Sequence, residues 1–174
     1  NFFGLVGIVL SSWIISNILV TLFVGIKKEN DKKTLSPVNF FKHFNSMIIS
    51  HLGVGLLILG ITGSSIWQEE NITRMKINDE TIIKNYNIVF KEINKLEGPN
   101  YYALEGSFWV YNQKNKIITV LKPENRIYPV TNNTSSEVSI HTNLLRDLYI
   151  VLGEGDFNEG WVVRIYYKPL VVWI

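Results

Sequence analysis

The sequence predicts a membrane protein with two transmembrane α-helices and a mainly β extracytoplasmic domain, either a sandwich or a small barrel. Two stretches, Phe2 to Ile26 and Ser46 to Trp67, contain no charged residue. Each is long enough to cross a bilayer core, which takes about 20 residues. Gln68 to Lys168 consists of short β-branched and aromatic runs separated by turns, as in β domains. The apolar run within residues 169–174 predicts the truncated start of a third transmembrane helix.

Composition excludes several classes of protein. The chain has 174 residues, with 17 Lys and Arg against 15 Asp and Glu, so it lacks the basic character of a nucleic-acid-binding protein. It contains no cysteine, which rules out disulfides, CxxC redox motifs and thiolate metal sites. We expect a fragment of a longer polypeptide, because the chain starts at Asn1 and ends within an apolar run.

The first predicted transmembrane helix, residues 2–26, is followed by a lysine-rich loop. The helix lacks the basic start and the small-residue cleavage site of a signal peptide. Residues 27–45 form the loop, in which five lysines are opposed only by Glu29 and Asp31. Short lysine-rich loops between spans stay in the cytoplasm, so this loop is predicted to be cytoplasmic. His43 in this loop is interpreted as an interfacial or solvated side chain.

The second predicted span, residues 46–67, carries His51 near its cytoplasmic end. An ionisable side chain inside a membrane span marks a functional site by default, and imidazole can transfer protons or bind a metal. The alternative is a histidine that only reaches toward the interface or caps the helix. Its second ring nitrogen needs an acceptor, either Ser50 or a carbonyl one turn back. Gly53 and Gly55 are expected to leave room for a flat, bulky partner beside the backbone.

The β domain is predicted over residues 68–168. Asn112 to Asn115 reads as a hairpin turn and Pro123 to Asn125 as another turn, whereas Glu154 to Gly160 reads as a polar loop. Asn143 to Leu152 is the one stretch with a helical option, because its leucines fall near helical spacing. The clearest strands are Tyr86 to Ile93, Tyr101 to Tyr111, Lys116 to Leu121 and Trp161 to Tyr167.

Several polar residues of this domain are interpreted as structural. Arg126 and the pair Arg146-Asp147 are expected to anchor the domain as buried polar groups, and His141 is expected at a turn or on the surface. Glu69 and Glu70 are adjacent, so on a regular element they point apart and do not form a catalytic pair. The chain shows no phosphate-binding loop, Ser-His-Asp arrangement or metalloprotease spacing, and we assign it no catalytic residue.

A series of short strings in a fixed order resembles one known family. The resemblance covers about Met47 to Ile174 and is to the C-terminal part of the cytochrome c maturation protein F (CcmF) family, the heme lyase subunit of cytochrome c-type biogenesis. The strings are His51-Leu52-Gly53-Val54, Glu97-Gly98-Pro99-Asn100-Tyr101, Arg126-Ile127-Tyr128-Pro129-Val130, Leu145-Arg146-Asp147-Leu148-Tyr149, Leu152-Gly153-Glu154 and Tyr166-Tyr167-Lys168-Pro169.

The resemblance implies a cofactor, partners and a role for His51. Members of the family take heme from a heme chaperone and aid its thioether attachment to the CxxCH motif of apocytochrome c, working with other heme lyase subunits. They also hold a membrane b-type heme (heme b) between two histidines, so by resemblance His51 is an axial ligand of this heme iron. The second histidine and the tryptophan-rich heme-handling segment lie outside these residues, so this fragment alone is not expected to be catalytic.

Alternatives to this interpretation follow from the same residues. The chain could be a heme-free, membrane-tethered β domain that acts as an assembly or interaction subunit, with His51 only packing. Arg126 or Arg164 could meet a heme propionate, since arginine suits carboxylates. The resemblance predicts a bacterial inner membrane protein with its β domain in the periplasm, and the mitochondrial inner membrane is the alternative location.

Overall fold

The computed structural model describes residues 2–30 and 46–174, which divide into two units. One unit contains the helical part and the last residues, Leu170 to Ile174, and the other is Gln68 to Pro169. Most of the predicted lysine-rich loop, including His43, lies outside the described residues. The buried core cluster lies in the second unit.

Two apolar helices form the first unit. Helix α1 spans Phe2–Asn30 and helix α2 spans Ser46–Ile66, and both are long and apolar enough to cross a membrane. Helix α1 therefore continues four residues beyond the predicted end at Ile26. A short 3-10 helix, Val171–Trp173, packs on α2 where Gly60 lets the backbone of Trp173 approach.

Ten antiparallel strands form the second unit and confirm the predicted mainly β class, as a sandwich. A four-stranded sheet has the order β1-β10-β9-β8, and a second sheet has the order β2-β3-β4-β6-β7, with β5 paired to β4. The strands are β1 Glu69–Met75, β2 Glu80–Ile83, β3 Tyr86–Glu97, β4 Tyr102–Asn112, β5 Ile117–Leu121, β6 Glu124–Tyr128, β7 Asn133–Glu137, β8 Ser139–Asn143, β9 Arg146–Asp156 and β10 Gly160–Pro169.

The core of the sandwich is built from alternate residues of both sheets, as expected of strands with one buried face. Phe90 and Phe108 stack with ring centroids 4.6 Å apart, and Trp161 of the other sheet meets Phe90 edge to face at 5.8 Å. These rings join the two sheets at the centre of the domain. The four clearest predicted strands and the turn at Asn112 to Asn115 are all confirmed.

The helical option at Asn143 to Leu152 is wrong, because Asn143 ends β8 and β9 begins at Arg146. Leu148, Ile150 and Leu152 are fully buried at every second position, so the period that matters is two and not 3.6. Leu144 and Leu145, which created the apparent helical spacing, lie in the turn before the strand.

The predicted turn at Pro123 to Asn125 is also wrong in part. Strand β6 begins at Glu124, and the Pro123 carbonyl accepts a hydrogen bond from the Gly106 N–H at 3.0 Å. Proline is tolerated here because it precedes the strand and its missing N–H is not required.

Candidate functional site

His51 lies in the second turn of α2, and the helix itself holds one of its ring nitrogens. Nδ1 is 2.7 Å from the carbonyl oxygen of Met47, one turn earlier. A carbonyl oxygen only accepts hydrogen bonds, so Nδ1 donates in this contact, and in the neutral imidazole the lone pair then lies on Nε2. The acceptor is thus the backbone carbonyl and not Ser50, whose hydroxyl donates to the Ser46 carbonyl at 2.8 Å. The exposed ring offers Nε2 as a ligand.

His51 borders an apolar groove of about 310 Å³ between α1 and α2. The two other polar side chains of the groove are satisfied by their own helix: the Asn17 amide donates to the Trp13 carbonyl and the Thr21 hydroxyl to the Asn17 carbonyl, each at 2.8 Å. Among the described residues of the groove, His51 therefore brings the one basic nitrogen. The lining residues are Trp13, Ile14, Asn17, Ile18, Thr21, Met47, Ile48 and His51.

Gly53 and Gly55 do not both leave open space beside the backbone, contrary to the expectation from the sequence. Gly55 lies one turn after His51, and a Cβ added there would be 3.0 Å from Cγ1 of Ile15. This glycine therefore serves the contact between α1 and α2 and leaves no open space. A Cβ added at Gly53 would meet nothing within 4 Å, so only this glycine presents open backbone.

Arg146 is the main buried cation of the β sandwich, and His141 is one of its partners. The arginine is 2% exposed and donates to the Tyr86 hydroxyl at 2.9 Å, to Nδ1 of His141 at 2.9 Å and to the His141 carbonyl at 2.7 Å. Burial and the nearby Arg146 charge lower the pKa of His141. The predicted anchoring role of Arg146 is confirmed, and His141 is a half-buried neutral acceptor that supports it.

Residues 66–169 match the family model of the CcmF C-terminal beta-sandwich. The chain belongs to the CcmF family. His51 precedes the matched residues, but longer alignments to CcmF relatives reach the helices as well. The cytochrome c-type biogenesis protein CcmF of Pseudomonas aeruginosa is 32% identical over 166 residues, 95% of this chain and 25% of that protein. The CcmF protein of Escherichia coli is 37% identical over 128 residues, 74% of this chain and 20% of that protein.

A solved structure has the same fold. The cytochrome c heme lyase CcmF superposes with a TM-score of 0.65 and 16% sequence identity, covering 99% of this chain and 29% of that structure. The chain thus spans between a fifth and a quarter of the length of these two curated CcmF relatives. Its fold is that of the corresponding part of a longer CcmF protein.

Among the described residues, His51 has the chemistry that a heme iron ligand requires. The described residues contain no group of three or more His, Cys, Asp or Glu side chains that could hold a metal ion by themselves. A porphyrin supplies four nitrogens to its iron, so a heme, unlike a bare metal ion, does not require a cluster of such side chains from this chain. Neutral imidazole suits iron, and the apolar groove beside His51 suits a flat macrocycle.

The two arginines considered for heme propionates differ in their surroundings. Arg126 is held by Glu124 at 2.8 Å and Glu137 at 3.6 Å, and its guanidinium lies 4.5 Å from the centre of the Tyr101 ring. The hydrogen bond that Arg126 donates to Glu124 is the main cause that raises the pKa of Arg126. Its charge is already balanced, so it is a structural residue of the six-stranded sheet.

Arg164 is exposed and lines a polar cleft of about 490 Å³ within the sandwich.

Hydrogen bonding to Glu70 is the first cause that raises the pKa of Tyr166, which also lines this cleft. Glu69 instead pairs with Lys84. The two adjacent glutamates therefore point apart, as expected from alternation along a strand.

Residues of α1 were not identified from the sequence as part of the groove beside His51. Trp13, Asn17 and Thr21 line it, yet only the polar interruption at Asn17 distinguished them in the sequence. Their spacing of four residues places them on one face of α1, which was the available signal. The Met47 carbonyl is a backbone atom and had no side-chain signal beyond its position one turn before His51.

Proposed function

We propose that this chain is the C-terminal part of a cytochrome c heme lyase and that His51 is an axial ligand of a b-type heme in the membrane. The observation that carries the proposal is the hydrogen bond from Nδ1 of His51 to the Met47 carbonyl. A neutral histidine held in this way would leave Nε2 available to a metal, which supports the ligand role. The membership of the chain in the CcmF family supplies the cofactor class.

The residues around His51 have distinct tasks in this proposal. The Met47 carbonyl orients the imidazole and strengthens its donor character, as a hydrogen-bonded carbonyl does for other metal-bound histidines. The apolar wall from α1 excludes water, and Asn17 and Thr21 are satisfied within the helix and so do not compete for the ligand. When bound, the heme would supply one-electron redox chemistry. The second axial histidine belongs to another segment of the full-length protein.

The β sandwich is proposed as the docking scaffold of the lyase. It would dock the heme chaperone, apocytochrome c and the other lyase subunits, while the full-length lyase would aid the thioether attachment of heme to the CxxCH motif. In this proposal the protein is in a bacterial inner membrane, with the lysine-rich segment in the cytoplasm and the sandwich in the periplasm, as the positive-inside rule favours.

The test is the heme content of the full-length protein purified from membranes. A pyridine hemochrome spectrum of His51→Ala should show loss of heme b at unchanged protein yield. Ser50→Ala is the matched control, because Ser50 is the adjacent exposed residue and donates only to its own helix. The control should keep its heme.

Equal heme in wild type and His51→Ala would contradict the proposal. His51 would then be a packing residue, and the chain would be a heme-free, membrane-tethered assembly subunit. Loss of heme in Ser50→Ala as well would mean that disturbance of this turn, and not ligation, removes the heme.

A further inference from the structure

The turn between β8 and β9 presents two large apolar side chains. Leu144 and Leu145 are 69% and 68% exposed. The turn is nevertheless well built, because the Asn143 side-chain oxygen accepts the N–H of Leu145 at 2.8 Å and the N–H of Arg146 at 2.9 Å. Arg146 is buried directly behind it. A rigid turn that holds two leucines outward is typical of an interaction surface.

The strand register places these leucines at one particular end of the four-stranded sheet. Arg146 pairs with Pro169, the last residue of β10, and Glu69, the first residue of β1, pairs with Tyr167. Leu170 follows Pro169, and Trp67 precedes Glu69 by two residues. Both connections from the sandwich to the helical unit therefore leave from the sheet end that carries Leu144 and Leu145.

Two further turns bring lysines to the same end. Lys84, in the turn between β2 and β3, pairs with Glu69. The side chain of Gln113, in the turn between β4 and β5, donates to Asn85 at 2.9 Å. Lys114 and Lys116 in that turn are exposed, and no described carboxylate pairs with either. We call Lys84, Lys114, Lys116, Leu144 and Leu145 the attachment end.

The opposite end of the four-stranded sheet has a different character. The turn between β9 and β10 contains Asp156 and Glu159, and the N–H groups of Glu159 and Asn158 lower the pKa of Asp156, so this carboxyl stays charged. Phe157 in the same turn is 66% exposed, about as much as Leu145. The two ends thus match in apolar exposure but differ in charge.

We propose that the attachment end lies on the membrane surface and binds acidic phospholipids. Leu144 and Leu145 enter the boundary between headgroups and acyl chains, and Lys114 and Lys116 meet the lipid phosphates. Apolar side chains flanked by lysines bind an anionic interface in this way, and each nearby lysine contributes about 1 kcal/mol. The covalent connections at Glu69 and Pro169 hold this end near the bilayer, which favours lipid over a soluble partner. This inference does not depend on heme binding.

The test uses a single cysteine at Leu145 in a full-length protein from which all other cysteines have been removed. The chain described here contains no cysteine, so it needs no such change. An NBD dye on Leu145→Cys is measured in nanodiscs of phosphatidylcholine and phosphatidylglycerol. We expect blue-shifted emission that spin-labelled lipid quenches. Phe157→Cys is the matched control, with equal exposure at the other end of the sheet, and should report water and little quenching.

The charge requirement is tested by reversing lysines at each end. Lys114→Glu with Lys116→Glu should reduce the blue shift at position 145 in phosphatidylglycerol nanodiscs. Lys76→Glu with Lys95→Glu makes the same change of net charge at exposed lysines away from the attachment end and should leave the shift unchanged. A water-like spectrum at position 145, or a blue shift without lipid quenching, would overturn the proposal, the latter because a protein partner would then cover the leucines.

Discussion

Gly55 of α2 packs against Ile15 of α1 so closely that a Cβ added to the glycine would lie 3.0 Å from the isoleucine Cγ1. Small residues at such contacts allow membrane helices to approach, because close packing replaces the hydrophobic effect in lipid. Gly7 makes a similar contact with Thr62 toward the other end of the pair. The groove that contains His51 depends on this approach.

We expect Gly55→Leu to separate α1 from α2 and to disturb the groove. Overpacking of this kind costs about 1–3 kcal/mol. Gly53→Leu is the control with the same change of side chain, since a Cβ at Gly53 meets nothing within 4 Å. Thermal stability and heme content of the full-length protein in detergent should fall for Gly55→Leu only. Equal losses of stability and heme in both variants would mean that the face of α2 that contains Gly53 is also packed.

Arg146→Met is predicted to destabilise the β sandwich by about 2–4 kcal/mol, because it leaves the Tyr86 hydroxyl and the His141 ring without their charged donor. Urea unfolding followed by tryptophan fluorescence measures this. Arg74→Met is the matched control: Arg74 makes only an exposed pair with Glu159, with side chains 54% and 72% exposed, so its removal should cost under about 1 kcal/mol. A similar cost for both variants would contradict the anchoring role of Arg146.

Stability of the sandwich should decrease as the pH falls through about 6.5, and His141 contributes to this loss. Burial and Arg146 keep the folded pKa of His141 below its unfolded value, so below pH 6.5 the unfolded state binds more protons. The contribution of His141 is fully present above pH 6.5 and is lost at lower pH. Urea midpoints at pH 7.5 and pH 5 should differ less in His141→Asn, whose side-chain oxygen can still accept from Arg146. An unchanged difference would show that other groups cause the loss.

How far the sequence predicted the fold depended on which strands bury apolar residues. Strand β3 alternates buried Ile88 and Phe90 with half-exposed positions, and it was predicted. Strand β7 has the sequence Asn-Thr-Ser-Ser-Glu and was missed, because it lies at a sheet edge and contributes no apolar side chain. The start of strand β9 has a helical option in the sequence because Leu144 and Leu145, which are exposed in the turn, add to the spacing of the core leucines.

The candidate site was predictable only in part, because most of the groups around His51 have no distinctive signal in the sequence. His51 stands out as an ionisable side chain in an apolar span, so the sequence alone marks it as a candidate. The partners that shape its surroundings are a backbone carbonyl at Met47 and apolar residues of α1, which resemble any lipid-facing residue in sequence. Gly55 contacts α1 and Gly53 does not. This difference depends on which face of α2 meets α1, and the spacing of the two glycines does not predict that face.

Rescue by free imidazole tests the central claim most directly. His51→Gly in the full-length protein should lack the b-type heme spectrum, and imidazole added during purification should restore it by occupying the vacated ligand position. Ser50→Gly, which places the same flexible residue one position earlier, should keep its heme without imidazole. Restoration confined to His51→Gly would identify His51 as an axial ligand, whereas full heme in His51→Gly without imidazole would contradict that role.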